Sequence, residues 1–357
     1  MVWGIFITLS GPFMFEGIRI VEKQLDSSYF TGFSPLHFSL NNVTQVGYLI
    51  VNLTTLYCVY AVRDRVGADF AKRSFLVSAA LCVFLGYWEF ISKTTGLIPF
   101  PSHILLNSGE MYEVIATDGR FRMSSVTPEA SYYGLFISPF FWSLLSMRRS
   151  LKLNILLVLA AITIPLNLSG TGFIALAAGA MVYILMNRGK AKYVVAVALM
   201  VGLSAFLVLH TDIGQSFYTM VEGKKDTQSG VVRLGVTLRN LEILYETYGL
   251  GVGLGSTRGS SFIVDLLACT GVIGTFLYMR ILYFIGWRRK NDEQTRYIFV
   301  YFVTLFLGQC ASAPDFSNSF FWMGLFVSAA SIINTYDPNK KKPLSAIMPT
   351  HDAAIEE

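Results

Sequence analysis

The feature that most limits what this chain can become is a series of long apolar runs. They recur at about residues 2–18, 44–62, 74–92, 130–147, 151–168, 171–187, 193–210, 262–286, 297–312 and 317–335. A run of roughly 18 or more apolar residues is long enough to cross a bilayer as a helix, and inside lipid a helix satisfies its own backbone. The series therefore predicts an all-α polytopic membrane protein of about ten transmembrane helices, forming one integral membrane domain over residues 1–336. Composition agrees. Only 14% of residues are charged and mean hydropathy is +0.52, against roughly 25% charged in a soluble domain. The first run has neither a basic leader nor a small-residue cleavage site, so it reads as a retained span and not a signal peptide; it begins abruptly, which leaves room for residues ahead of Met1.

Orientation follows from where the basic residues fall. Clusters stand at Arg63, Arg65, Lys72 and Arg73; at Arg148, Arg149 and Lys152; at Arg188, Lys190 and Lys192; at Arg288, Arg289, Lys290 and Arg296; and at Lys340, Lys341 and Lys342. These hold seventeen of the 28 Lys and Arg residues, on alternate ends of the spans. By the positive-inside rule that side is cytoplasmic, as are both termini. Segments 19–43, 93–129, 168–172, 211–261 and about 311–319 are then extracytoplasmic. The tail 337–357 is polar and aperiodic and is expected to be disordered in the cytoplasm. No internal repeat, nucleotide-binding module or nucleic-acid-binding pattern is present. The four cysteines and four histidines are scattered, so no disulfide framework or metal site is indicated.

Two long outer segments, about 93–129 and 211–261, are the places to look for chemistry. Within the second, apolar residues at 234, 238, 241, 244, 245 and 248 recur with helical period, predicting an amphipathic helix over 233–248 at the membrane–water boundary or over the mouth of the bundle. Arg120, Arg122, Arg233, Arg239 and Arg258 all fall on the outer side. Guanidinium groups stay charged and grip phosphate oxygens in pairs, so a lipid diphosphate is a fitting ligand. The competing reading is anchorage to lipid headgroups or pairing with acids; Arg239 has Glu242 and Glu246 on its own helix. Arg233 and Arg239 would stand about 120° apart on one helix and would share a ligand only if it began after Arg233.

Glu129, at the start of a span, and Asp265, four residues into another after Ser261, are candidate general bases for an attacking sugar hydroxyl. Against this, Glu129 suits a helix N-terminus, and Asp265 could pair with Arg258. Glu89 and Arg280, both inside apolar runs, read as snorkelling or pairing. The run GLGVGLG (249–255) is either a turn between spans or a backbone N–H nest for phosphate. It lacks the strand, helix and lysine of known nucleotide loops.

These motifs in order, GRFRMSSVTPEASYYGLF (119–136), NLSGTG (167–172), an R-x5-RN pair, YGLGVGLGS and SSFIVDLLACTGVIG, resemble the O-antigen polymerase (Wzy-type) and O-antigen ligase superfamily over about residues 74–335. The resemblance implies a GT-C-like membrane glycosyltransferase, free of metal and cofactor. Its donor would be an undecaprenyl-diphosphate-linked oligosaccharide, used on the periplasmic face of the bacterial inner membrane, with inversion at the anomeric carbon. Partners implied are that lipid-linked substrate, membrane lipids and, as an option, a chain-length regulator. The family's arginines match Arg120 or Arg122 and Arg233, Arg239 or Arg258, with Glu129 beside the first pair. Glu129, Arg233 and Arg239 are thus expected to be catalytic, Arg120, Arg122 and Arg258 to bind diphosphate, and Asp265 to be secondary. Where a ligase tends to carry a histidine and an acid, this chain has Ser260–Ser261 and Cys269, which favours a repeat-unit polymerase over a ligase. A lipid-linked oligosaccharide transporter would show interrupted spans in matching halves, and no such symmetry is seen.

Overall fold

The computed structural model describes residues 1–21, 32–105, 121–127, 129–167, 169–187, 228–285, 295–312 and 315–331. The 193–210 run, Arg120, residues 211–227 and the 337–357 tail lie outside the described residues. The elements are α1 (Val2–Met14), β1 (Arg19–Val21), β2 (Phe33–Pro35), α2 (Leu40–Ala61), α3 (Arg63–Thr95), the short α4 (Ser102–Leu105), α5 (Ala130–Ser146), α6 (Leu151–Asn167), α7 (Gly170–Met186), α8 (Gln228–Glu246), α9 (Phe262–Ile285), α10 (Arg296–Ser312) and α11 (Ser319–Ala330). Helices fall on every apolar run that lies among the described residues.

Among the described residues, three helices are long and apolar enough to cross a membrane: α2, the Gly67–Thr95 part of α3 and the Phe262–Phe284 part of α9. Shorter apolar helices of 10–17 residues include α1, α6, α7, α10 and α11. Seventeen residues, as in α6 and α7, rise about 25 Å, somewhat less than the roughly 30 Å hydrocarbon core. The apolar runs read at 151–168 and 171–187 are of nearly the same length as these helices. At the start of α7, Ser169 ends the run by taking the Gly172 N–H on its hydroxyl.

The core is built round α5, which is buried without a break from Tyr133 to Leu144. A helix apolar on all sides must be enclosed by others, and α5 is enclosed by α6, α7 and α10. Small residues let the backbones approach: a Cβ on Gly134 would stand 2.8 Å from the Gly172 Cα, and one on Gly179 would stand 2.0 Å from Trp142. Trp142 in turn donates its indole N–H to the Leu176 carbonyl at 2.9 Å. Phe75, Phe140 and Tyr301 lock α3, α5 and α10 together at ring separations of 5.1–5.2 Å.

The amphipathic helix is present as α8, but it starts at Gln228 and its apolar stripe faces away from the protein. Leu234, Leu238, Leu241, Tyr245 and Tyr248 are exposed, whereas Val236, Asn240, Ile243 and Thr247 are buried. Periodicity finds a stripe without saying which stripe docks. Here the polar Asn240 and Thr247 meet hydrogen-bonding partners in the protein, and the leucines are left exposed. The early start also puts Arg233 inside the helix, so its position and that of Arg239 are about 120° apart; the condition for sharing a ligand is not met.

The glycine run is a buried connector. Gly249, Gly251, Gly253 and Gly255 all have positive φ, a region open to glycine at little cost. α9 is broken at Gly271 (φ 67°), which frees carbonyls that the run then satisfies: Val252 N donates to Ala268 O at 2.9 Å and Gly253 N to Cys269 O at 2.8 Å. Leu254 N donates to the Thr8 hydroxyl of α1 at 3.0 Å. Irregular backbone can be buried when the protein itself supplies its hydrogen-bond partners, as it does here.

Segments assigned to one side by the basic clusters meet in space. At one end, Asn42 donates to Leu254 O at 2.9 Å and Arg258 N to Val21 O at 3.3 Å. At the other, Arg296 donates to Met186 O at 2.9 Å.

Candidate functional site

Three segments from different parts of the chain converge on Tyr132, in the first turn of α5. The Arg258 guanidinium lies in hydrogen-bonding reach of its hydroxyl, and the Glu129 and Asp315 carboxylates are close enough to act on it electrostatically. Arg258 comes from the turn between the glycine run and α9, Glu129 from the end of the 121–129 loop, and Asp315 from the link between α10 and α11. A cation with two acids around a phenol is the arrangement that can do chemistry.

Arg258 is positioned by a chain of hydrogen bonds from below. Val21 N–H donates to the Thr257 hydroxyl at 3.3 Å, that hydroxyl donates to Asn240 Oδ1 at 3.0 Å, and Asn240 Nδ2 donates to Asp265 Oδ1 at 2.8 Å. Asp265 is 1% exposed, also accepts the Gly259 N–H, and feels Arg258 electrostatically. A side chain at 259 would not fit, since a Cβ there would be 2.7 Å from both Asn240 Nδ2 and Asp265 Oδ1. Asp265 therefore acts on Arg258 by holding its turn, from a position enclosed by protein.

The 121–129 loop is held at two points. Glu89 of α3 is fully buried, takes the Ser124 N–H at 2.7 Å, and also accepts from the Ser124 hydroxyl and the Ser125 N–H. Its remaining charge is met by Lys93 at 2.8 Å, so Glu89 pairs and does not snorkel. Asn167, at the end of α6, donates to Met123 O at 2.6 Å and to Ala130 O at 2.7 Å. Immediately before these anchors stands Arg122, whose Nε is buried without a hydrogen-bond partner. Burial pulls its pKa down from the ordinary arginine range, and the nearby Glu129 charge opposes this. Glu129 itself is the N-cap residue of α5 but makes no side-chain capping bond; it accepts the Ser131 hydroxyl at 2.7 Å. Asp315 takes the Ser317 N–H and hydroxyl on Oδ1 at 2.9 and 2.8 Å.

The other expected residues stand apart from this cluster. The Arg239 guanidinium is occupied: Nε donates to Arg19 O at 2.9 Å, Nη1 to Glu242 and Glu246, and Nη2 to Glu246, each at 2.8 Å. Hydrogen bonding to Glu246 raises its pKa, with Glu242 adding to the effect. The catalytic expectation for Arg239 gives way to a clamp between α8 and the β1–β2 hairpin. The phosphate-nest reading of the glycine run is likewise corrected, because the Val252, Gly253 and Leu254 amides are used within the protein. Arg233 is in α8 with its side chain outside the described atoms. Sequence reasoning missed Tyr132, Asp315, Asn240 and the anchoring part of Glu89. Asp315 carried a signal, as an acid in an outer segment; Asn240 lay in the helix but off the stripe that was being read.

No protein-family model, curated protein or solved structure matches the chain. What it does has to be read from these residues.

Proposed function

We propose that this chain is a polytopic glycosyltransferase of the O-antigen polymerase type, which joins oligosaccharides carried on a polyprenyl diphosphate outside the bacterial inner membrane. The observation that carries the reading is the meeting of Arg258, Glu129 and Asp315 at Tyr132. The acceptor sugar hydroxyl attacks the anomeric carbon of the donor, the carbon–oxygen bond to diphosphate breaks, and the lipid diphosphate leaves with the electron pair. Glu129 takes the hydroxyl proton. Arg258, with Arg122 behind Glu129, stabilises the charge growing on the diphosphate, an effect that is large where water is partly excluded. Ten spans, cytoplasmic termini and a site on the outer face belong to the same proposal, supported by the pairing of like-side segments at the two ends of the bundle.

The test is incubation of the purified protein with a lipid-linked repeat unit. A ladder of longer lipid-linked products is expected from the native chain and none from Arg258→Ala. Losing one preorganised donor costs roughly 10²–10³ in turnover in comparable sites, and Glu129→Gln is expected to fall at least as far. A normal ladder from Arg258→Ala, or passage of unchanged substrate across a bilayer with no ladder, overturns the reading.

A further inference from the structure

The helix pair α9 and α10 carries a second feature, away from Arg258. An open groove of about 530 Å³ runs between them, lined by Phe276, Leu282 and Tyr283 from α9 and by Phe302, Phe306 and Leu307 from α10. That volume lies within the roughly 300–1,000 Å³ of small-ligand clefts. One further lining residue, Arg280, is charged. Its guanidinium lies 4.8 Å from the centre of the Phe284 ring, and it makes no ion pair among the described residues. An ionised side chain in a span is costly unless something pairs with it, and a guanidinium favours phosphate oxygens.

Position selects the ligand. Fifteen residues of α9 separate Asp265 from Arg280, a rise of roughly 22 Å if the bend at Gly271 is ignored, in a hydrocarbon core of about 30 Å. A phosphate on Arg280 therefore belongs to the leaflet opposite the candidate site and cannot be the diphosphate handled there. We infer that the groove is a binding site for an anionic phospholipid of that leaflet, one acyl chain lying between α9 and α10 and the phosphate paired with Arg280. The inference needs the membrane reading but not the transferase one.

Native mass spectrometry of the delipidated full chain, mixed with equal amounts of phosphatidylglycerol and phosphatidylcholine of matched chains, tests it. The native protein is expected to retain phosphatidylglycerol several-fold over phosphatidylcholine. Arg280→Gln should bring the ratio close to one, Arg280→Lys should keep the preference, and Val303→Trp, which fills the groove, should reduce retention of both lipids. Arg148→Gln, which removes an exposed charge elsewhere, should leave the ratio unchanged. A native ratio near one, an unchanged ratio in Arg280→Gln, undiminished retention in Val303→Trp, or an equal fall in Arg148→Gln would each overturn the proposal, the last by showing general surface attraction. Gel filtration in the same detergent shows that each variant is folded.

Discussion

Arg239 commits its guanidinium to Arg19 O, Glu242 and Glu246, whereas Arg258 lies beside a phenol and two carboxylates with its backbone tied down. The two are therefore expected to behave differently on truncation. Arg239→Ala removes pairs whose carboxylates are exposed although the arginine is not, and pairs screened by water on one side contribute about 1 kcal/mol or less. A small drop in melting temperature in detergent, with a normal product ladder, is the expected result; loss of the ladder at full stability would return Arg239 to the site. Asn240→Ala should do more. It leaves the Thr257 hydroxyl without its acceptor and the buried Asp265 one donor short, at a cost of about 1–3 kcal/mol. Turnover should fall with stability, because the turn bearing Arg258 loosens, and a melting curve recorded with the ladder assay reads both. Residue type and expected side nominated Arg258, Glu129 and Asp265 from the sequence together with Arg120, Arg122, Arg233 and Arg239, without ranking them by position in space. That Asp265 answers to Asn240 was not legible, because it depends on how α8 docks on α9.

Among the elements, the 121–129 loop and the glycine run place the site, and each rests on a feature that looks out of place in isolation. Glu89, an acid in the middle of an apolar run, is the anchor for two loop amides and a hydroxyl. Its carboxylate also meets Lys93. Glu89→Ala strands that lysine and the Ser124 and Ser125 donors, and removal of one partner of a buried pair costs about 3–5 kcal/mol. A large fall in melting temperature and loss of the ladder are expected together. Glycines offer a contrast of sign. Gly271→Ala puts a Cβ 2.2 Å from Gly249 O at a positive-φ position and should destabilise strongly, whereas nothing lies within 4 Å of a Cβ at Gly235. Gly235→Ala, inside α8, should raise stability by up to about 1 kcal/mol through helix propensity. The GLGVGLG spacing announced a non-helical segment; its role as partner to a broken helix could not be read, since the break at Gly271 is supplied by another part of the chain.

For the whole molecule, the apolar runs located the helices among the described residues because lipid imposes a simple rule on length. The contacts respect the alternation, with Val21, Asn42, Leu254 and Arg258 gathered at one end and Met186 and Arg296 at the other. Which end faces outward is a claim about charge alone, and single cysteines can decide it. With Cys58, Cys82, Cys269 and Cys310 replaced by serine, Glu129→Cys and Arg149→Cys each place a thiol at an exposed position, at opposite ends of α5. A membrane-impermeant maleimide applied to intact cells should label the cysteine at 129 and leave the one at 149 unmodified until the membrane is opened. The reverse pattern would put Arg258, Glu129 and Asp315 in the cytoplasm, where a lipid-linked donor displayed outside could not reach them, and the transferase reading would fall with the orientation. Labelling of both thiols from outside would place α5 in an arrangement that does not cross the bilayer. That last result would also remove the membrane depth assigned to the Arg280 groove, whereas the reversed orientation would leave the groove in the leaflet opposite the site.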